Sequence, residues 1–391
     1  MHLAMLSSCS RSLALQGSPP TTWADEGATA GIHERLSARR SDRSIRLAIL
    51  LGGQRAMPDQ QNERSPIVAK PIVIDEDPMF FWDYDDPRMQ IEFLNSIDPQ
   101  YFRYVADVYQ LELESGDAPR AAVALRLTYS HALETLFALI GASLQAPYCP
   151  AGWLLRYRNR DLHRLVEKGS NGTPLPNKLD LNAAGWSEVA HVLLPSTSED
   201  DAGNELREAS AILWHSLARN LLDGVFTAEY NSLKHGFRVR SGDFHLAIGR
   251  EDVPGVPPPP ERMQVVASNR YGSMFLRGVS LKDRQWGFEQ QRINWDPALF
   301  VRQIPLVADS IHNVLSFLKF FNGIPVEDFD VCVFDQESVS EALADPDFSS
   351  ATRFSIRVLT DPNAVPPVSK EVMMEEYLNL EMRPPHKETT G

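Results

Sequence analysis

A polar cluster ends the longest helix-patterned segment of the chain, in the sequence EYNSLKHGFR. Asn231 and His235 are four residues apart and share a helix face, with Lys234 beside them. One interpretation is helix capping, because Gly236 suits the left-handed residue after a helix and cations in the last turn suit the helix dipole. The other is a phosphate or nucleotide site, with Asn231 as amide donor and His235 as proton shuttle. Lys234 and Arg238 would then hold the anion.

A second cluster lies in the sequence RNRDLH. Its histidine, His163, can exchange protons near neutral pH, and Arg158 can hold phosphate oxygens, with the amide of Asn159 beside it. Cleavage of RNA without a metal needs a base, an acid and cations that stabilise the phosphate. Either His163 or His235 can transfer the proton, and Glu229 can orient the histidine. If the helices that carry them pack side by side, the two clusters share one pocket.

A third group lies in the segment 118–146, which is nearly free of charge. Among its few ionisable side chains are Arg126, His131 and Glu134, and the last two are three residues apart on one helix face. His131 and Glu134 form either a buried polar pair or the lining of an internal polar site. In the second case Glu134 is another candidate to orient a catalytic histidine.

Four main helices are expected to position these groups, over residues 118–146, 152–169, 204–238 and 297–322. The third is predicted to be one continuous central helix that Asn204 caps. Its apolar stripe recurs at spacings of three and four residues: Leu206, Ala209, Leu213, Leu217, Leu221, Val225 and Ala228.

The pattern changes to strands after the third helix, which predicts a β insertion at about 238–295 within a helical core domain of residues 66–325. The insertion is expected to open with a hairpin over residues 237–249, followed by two or three further strands. A small α+β extension at 326–360, built as strand, helix and strand, and a polar, partly disordered tail at 361–391 complete the chain. The predicted fold class is α+β, mainly α: an antiparallel bundle of about four main helices with a β-hairpin insertion.

The region before the first helices divides into three parts. Residues 1–65 are expected to be disordered or to include an extension upstream of the true start of translation, for which Met57 is a candidate. Residues 67–74 resemble a strand. Residues 75–87 hold two prolines, so an irregular segment is expected, with its acids in water or, alternatively, in a carboxylate metal site.

Composition limits the function classes. The net charge of −14 argues against broad binding of duplex DNA. The sequence contains no run of about eighteen apolar residues, so no membrane-spanning helix is expected. The three cysteines show neither a disulfide framework nor zinc-ligand spacing, which suits a reducing cytoplasm. The motifs typical of nucleotide-binding P-loops, dinucleotide folds, zinc proteases and α/β-hydrolases do not occur. No metal or other cofactor is expected.

The pattern of four helices with internal Arg, Asn and His resembles the HEPN superfamily, helical proteins of bacterial defence and toxin systems. Its active motif is an Arg, four to six residues, and a His, and the segment from Arg158 through Asn159 to His163 is similar to it. The resemblance spans about residues 120–325 and implies a helical bundle, often dimeric, that acts on RNA or has lost that activity. We therefore expect a HEPN-like binding or sensor module, with a metal-independent ribonuclease or other phosphate-directed enzyme as the alternative. RNA or a nucleotide and a second copy of the chain are the expected partners.

Overall fold

The computed structural model describes residues 66–182, 185–194, 201–242, 244–250, 252, 256, 258–280, 286–325, 331–344, 353–357 and 369–379. These residues form an α+β fold that is mainly α, as the sequence predicts. The expectations for residues 1–65, and for most of the tail after 360, concern parts of the chain outside the described residues.

A β-hairpin and two helices begin the fold. Strands β1 (Ile67–Ile74) and β2 (Asp77–Tyr84) pair antiparallel, so the expectation of an irregular segment at 75–87 is wrong. A two-stranded sheet leaves each strand one free edge, where a proline near the strand start is tolerated. The second proline of that segment begins helix α1 (Pro87–Asn95), and helix α2 (Gln100–Ser115) follows.

The most buried helix is α3 (Ala118–Gln145), because its sequence is apolar around most of its circumference. It packs against α2 and against helix α9 (Pro297–Phe321), and these contacts form the centre of the core. The sequence assigned the central place to residues 204–240. That segment packs at the side of α3 instead, because its charged residues are more frequent.

Two predicted helices are each interrupted once. Residues 152–169 divide into α4 (Pro150–Arg156) and α5 (Asn159–Asn171), because Tyr157 is extended, with φ −60° and ψ 154°. The carboxylate of Asp161 then accepts from the backbone N–H of Arg158 at 3.1 Å and caps the new start.

The predicted helix over residues 204–238 divides into α7 (Asp201–Leu222) and α8 (Gly224–Lys234), after the short helix α6 (Trp186–Leu193). The prediction of one continuous helix is therefore wrong, and Asn204 lies inside α7 rather than at its cap. The break is at Asp223, whose Oδ1 accepts from the backbone N–H groups of Val225 and Phe226 at 2.9 and 3.3 Å.

The β insertion forms two sheets. Strands β3 (Val239–Ser241), β6 (Gly272–Ser280) and β7 (Trp286–Asn294) join β8 (Arg353–Arg357) in one antiparallel sheet. Strands β4 (Phe244–Ile248) and β5 (Gln264–Asn269) form the other sheet. The predicted hairpin of β3 with β4 is wrong, because each strand pairs with a later one, whereas the further strands of the insertion are confirmed.

The C-terminal extension contributes β8 to the sheet of the insertion and helix α10 (Gln336–Leu343), as expected. Its first predicted strand is wrong, because residues 331–334 run as irregular chain. Asn313 of α9 holds that segment by bonds to both the N–H and the carbonyl of Cys332, at 2.8 and 2.9 Å. Helix α11 (Lys370–Leu378) is exposed along its length.

Helix α9 is the one described helix that is long and apolar enough to cross a membrane, by length and composition only. In this fold 61% of the apolar 18-residue stretch of α9 is buried inside the protein. Its apolar surface therefore contributes to the core.

Candidate functional site

A narrow recess lies where α3, α5, α7 and α8 meet. Its cavity volume is about 30 Å³, which is room for roughly two or three water-sized groups. The side chains around it are both polar and apolar: Arg126, Ser130, Leu133, Glu134, Asn159, Leu162, His163, Asn220, Leu221, Phe226, Thr227, Tyr230 and Asn231. The recess thus combines some of the groups from each of the three clusters that the sequence singled out.

A buried ion pair supports the inner wall. Nε of Arg126 donates to Oε2 of Glu229 at 2.8 Å, and the two side chains are 3% and 0% exposed. The other carboxylate oxygen of Glu229 accepts from Nε1 of Trp295 at 2.9 Å and from the hydroxyl of Ser273. Glu229, a predicted ligand-binding residue, is therefore fully committed to protein donors and does not line the recess.

The Arg126 guanidinium is only partly satisfied. Its Nη2 is buried and has no hydrogen-bond partner among the described residues, although Arg126 lines the recess. The guanidinium carbon lies 4.4 Å from the ring centre of Phe226, and 5.4 and 5.9 Å from those of Phe300 and Tyr129. These rings stabilise the positive charge, but they leave a hydrogen-bond donor unused.

A second ion pair also joins α3 to α8. Glu134 accepts from the hydroxyl of Tyr230 at 2.6 Å and from Nζ of Lys234 at 3.0 and 3.1 Å. Burial, reinforced by the bond to Glu134 and its negative charge, raises the pKa of Tyr230, so the phenol keeps its proton. Lys234 is 39% exposed and Glu134 12% exposed, which places this pair at the edge of the recess.

Helix α5 brings a neutral imidazole and an amide. Desolvation by burial lowers the pKa of His163, although the charges of Glu134 and Glu167 oppose the shift. At neutral pH His163 therefore carries no charge and offers one donor and one acceptor. Asn159, one turn earlier, is exposed and lies at the mouth.

The structure divides the predicted site residues. Asn159, His163, Asn231 and Glu134 lie around the recess. Three of the others are exposed and do not line it: Arg158, His235 and Arg238. Lys234 reaches Glu134 without lining the recess.

The end of α8 has the geometry expected of a helix end. Gly236 has a positive φ of 108°, as the capping interpretation predicts, and Phe237 also has a positive φ, of 53°. Lys234 binds Glu134 rather than the last carbonyls of the helix. His131 is exposed as well, with its ring edge-on to Phe102 at 5.6 Å.

Sequence reasoning gave no site role to Arg126 or Asn220, although both line the recess. The signal for Arg126 was present, since an arginine in the middle of a nearly charge-free helix must be paired or functional. Asn220 had no such signal. Its amide donates to the hydroxyl of Tyr129 at 2.8 Å, and only the three-dimensional packing of α7 on α3 shows this.

A scan against protein-family models, a search of curated proteins and a search of solved structures found no match to this chain. Within the described residues, no group of three or more His, Cys, Asp or Glu side chains is arranged to hold a metal ion. The assignment of a function therefore depends on the recess alone.

Proposed function

We propose that this protein is a HEPN-like binding or sensor module that holds a small molecule in the recess between α3, α5, α7 and α8. The observation that carries the proposal is the lining itself. Hydroxyl, amide, imidazole and guanidinium groups from four helices converge on one small space with apolar walls. Sites of this kind, with a few polar groups on an apolar lining, are typical of small-molecule recognition.

Binding is favoured over catalysis because the histidines are separated. Acid–base cleavage of RNA needs two groups that exchange protons and a cation near the phosphate. His163 is the one histidine that lines the recess, whereas His235 and Arg158 are exposed outside it. The HEPN-like relationship is part of the proposal and depends on the helix pattern and the spacing of Arg158 and His163.

The test is a fragment screen by thermal shift and NMR on the full chain, with two matched variants. Asn159→Leu places an apolar group at the mouth of the recess, and Asn171→Leu makes the same change at the exposed far end of α5. We expect fragments to bind the parent and Asn171→Leu, and to bind Asn159→Leu at least tenfold more weakly. Fragments that bind all three proteins equally, or none of them, would contradict the proposal.

A metal-independent ribonuclease is the second candidate, and one observation favours it. A neutral histidine lies in the same recess as a carboxylate and a guanidinium, His163 with Glu134 and Arg126. RNA degradation without metal, compared between the parent, His163→Gln and His191→Gln, tests this candidate. His191 is exposed on α6 and serves as the matched control. Activity lost only in His163→Gln supports the enzyme, and equal activities exclude a role for this recess.

A further inference from the structure

The unused donor of Arg126 indicates the chemical class of the ligand. We infer that the recess binds the carboxylate end of a small organic molecule and that Nη2 of Arg126 is its charged hydrogen-bond donor. This inference rests on the proposed function, because it assumes that a ligand enters the recess.

This donor has no acceptor in the described part of the fold. Arg126 is 3% exposed and its Nε is already used on Glu229, yet its Nη2 has no partner among the described residues. Leaving a buried charged donor without an acceptor is unfavourable, and an anionic oxygen forms the strongest bond that such a donor makes. A ligand oxygen within the recess supplies the missing acceptor.

Charge favours a single negative charge on the ligand. Arg126 is already paired with Glu229, and Lys234 is paired with Glu134, so the two ion pairs leave no excess positive charge at the recess. The Glu134 carboxylate also lines the space and repels anions. A doubly charged phosphate is therefore disfavoured relative to a carboxylate.

Size and lining lead to the same class. A cavity volume of about 30 Å³ suits a flat group of three heavy atoms better than a tetrahedral phosphate. The amide of Asn231 lies beside the space and offers a neutral donor for the second carboxylate oxygen. Leu133, Leu162 and Leu221 offer contacts to an aliphatic chain.

The experiment titrates the full-length protein with butyrate, butyramide and inorganic phosphate, followed by NMR and calorimetry. We expect butyrate to bind at least tenfold more tightly than butyramide, which has the same shape without the charge, and more tightly than phosphate. The substitution Asn159→Leu should weaken the binding of butyrate, whereas Asn171→Leu should leave it unchanged. Equal binding of butyrate and butyramide, or tighter binding of phosphate, overturns the inference.

A double variant of the ion pair tests the role of Arg126 without leaving an unpaired charge in the core. Arg126→Met alone leaves Glu229 buried without its cation, so Arg126→Met/Glu229→Gln is the informative variant because it removes both charges. In it we expect the preference for butyrate over butyramide to disappear while weak butyramide binding remains. If butyrate binds this double variant as tightly as the parent, Arg126 does not bind the ligand.

The two proposals fail in different ways. If fragments bind at the recess but none of the carboxylates is preferred, the carboxylate inference fails and the binding module stands. If every fragment, butyrate included, binds Asn159→Leu and Asn171→Leu with the same affinity, both proposals fail. In that case the guanidinium of Arg126 serves only the fold, through its ion pair with Glu229 and its aromatic neighbours.

Discussion

Replacing Glu229 with leucine is predicted to be among the most damaging substitutions in this fold. Glu229 is fully buried and accepts from Arg126, Trp295 and Ser273. Leaving a buried guanidinium without its counterion costs about 3–5 kcal/mol, and an unpaired indole N–H adds about 1–3 kcal/mol. The predicted loss of about 4–8 kcal/mol is comparable with the whole stability of a domain, about 5–15 kcal/mol.

The assay is urea unfolding followed by far-UV circular dichroism, with two comparisons. Lys234→Met breaks the ion pair at the edge of the recess, where Lys234 is 39% exposed, and should cost at most about 1 kcal/mol. Arg126→Met/Glu229→Leu removes both buried charges and should recover most of the stability that Glu229→Leu alone loses. The reasoning is refuted if Glu229→Leu and Lys234→Met unfold at the same urea concentration, or if the double variant is no more stable than Glu229→Leu.

Three further predictions concern single residues. The pKa of His163 is lowered by burial, so the unfolded chain binds its proton more readily than the folded protein. The contribution of His163 to the free energy of unfolding is therefore fully present above the ordinary histidine pKa of about 6.5 and declines as the pH falls below it. The His163→Gln variant should show a smaller decline of the urea midpoint with falling pH. Asp223→Ala removes the cap of α8 and should cost about 1–2 kcal/mol, whereas Asp223→Asn, which can still cap, should cost less in the same assay. Burial raises the pKa of the Cys149 thiol to about 11, so peptide mass spectrometry should find it alkylated far more slowly in the native protein than in urea.

Each of these has an outcome that contradicts it. An unchanged pH profile in His163→Gln, with His191→Gln as the exposed control, would mean that other groups cause the acid loss. Identical urea midpoints for Asp223→Ala and Asp223→Asn would mean that capping by Asp223 does not stabilise the start of α8. Rapid alkylation of native Cys149 would show that the α4 region opens far more readily than its burial implies.

The fold class could be predicted because apolar periodicity determines which segments become helices. The core helix α3 and the apolar stripe of α9 both follow from residues at spacings of three and four. The pairing of β3 with β6 could not be predicted, because alternation identifies a strand but not its partner. The hairpin of β1 with β2 was missed because prolines were given more weight than the aromatic residues of β2.

The candidate site could be predicted in part. The sequence identified His163 from its proton chemistry and its spacing to Arg158, and Asn231 from its spacing to His235, and both lie around the recess. It also selected Arg158 and His235, which are exposed, because spacing alone does not show on which side of a helix end a side chain lies. Arg126 requires the position of Glu229, which is 103 residues away in the sequence.

The two missed helix breaks explain why a recess exists at all. Two continuous helices that pack side by side approach to about 8–10 Å, and their side chains then fill the space between them. The breaks at Tyr157 and Asp223 interrupt two such helices beside the recess. Asn159 follows the first break, and Leu221 and Phe226 flank the second. The Asp223-Gly224 pair is an ordinary turn signal that the apolar stripe outweighed in the sequence. The residues that stop these helices are therefore as important to the proposed site as those that line it.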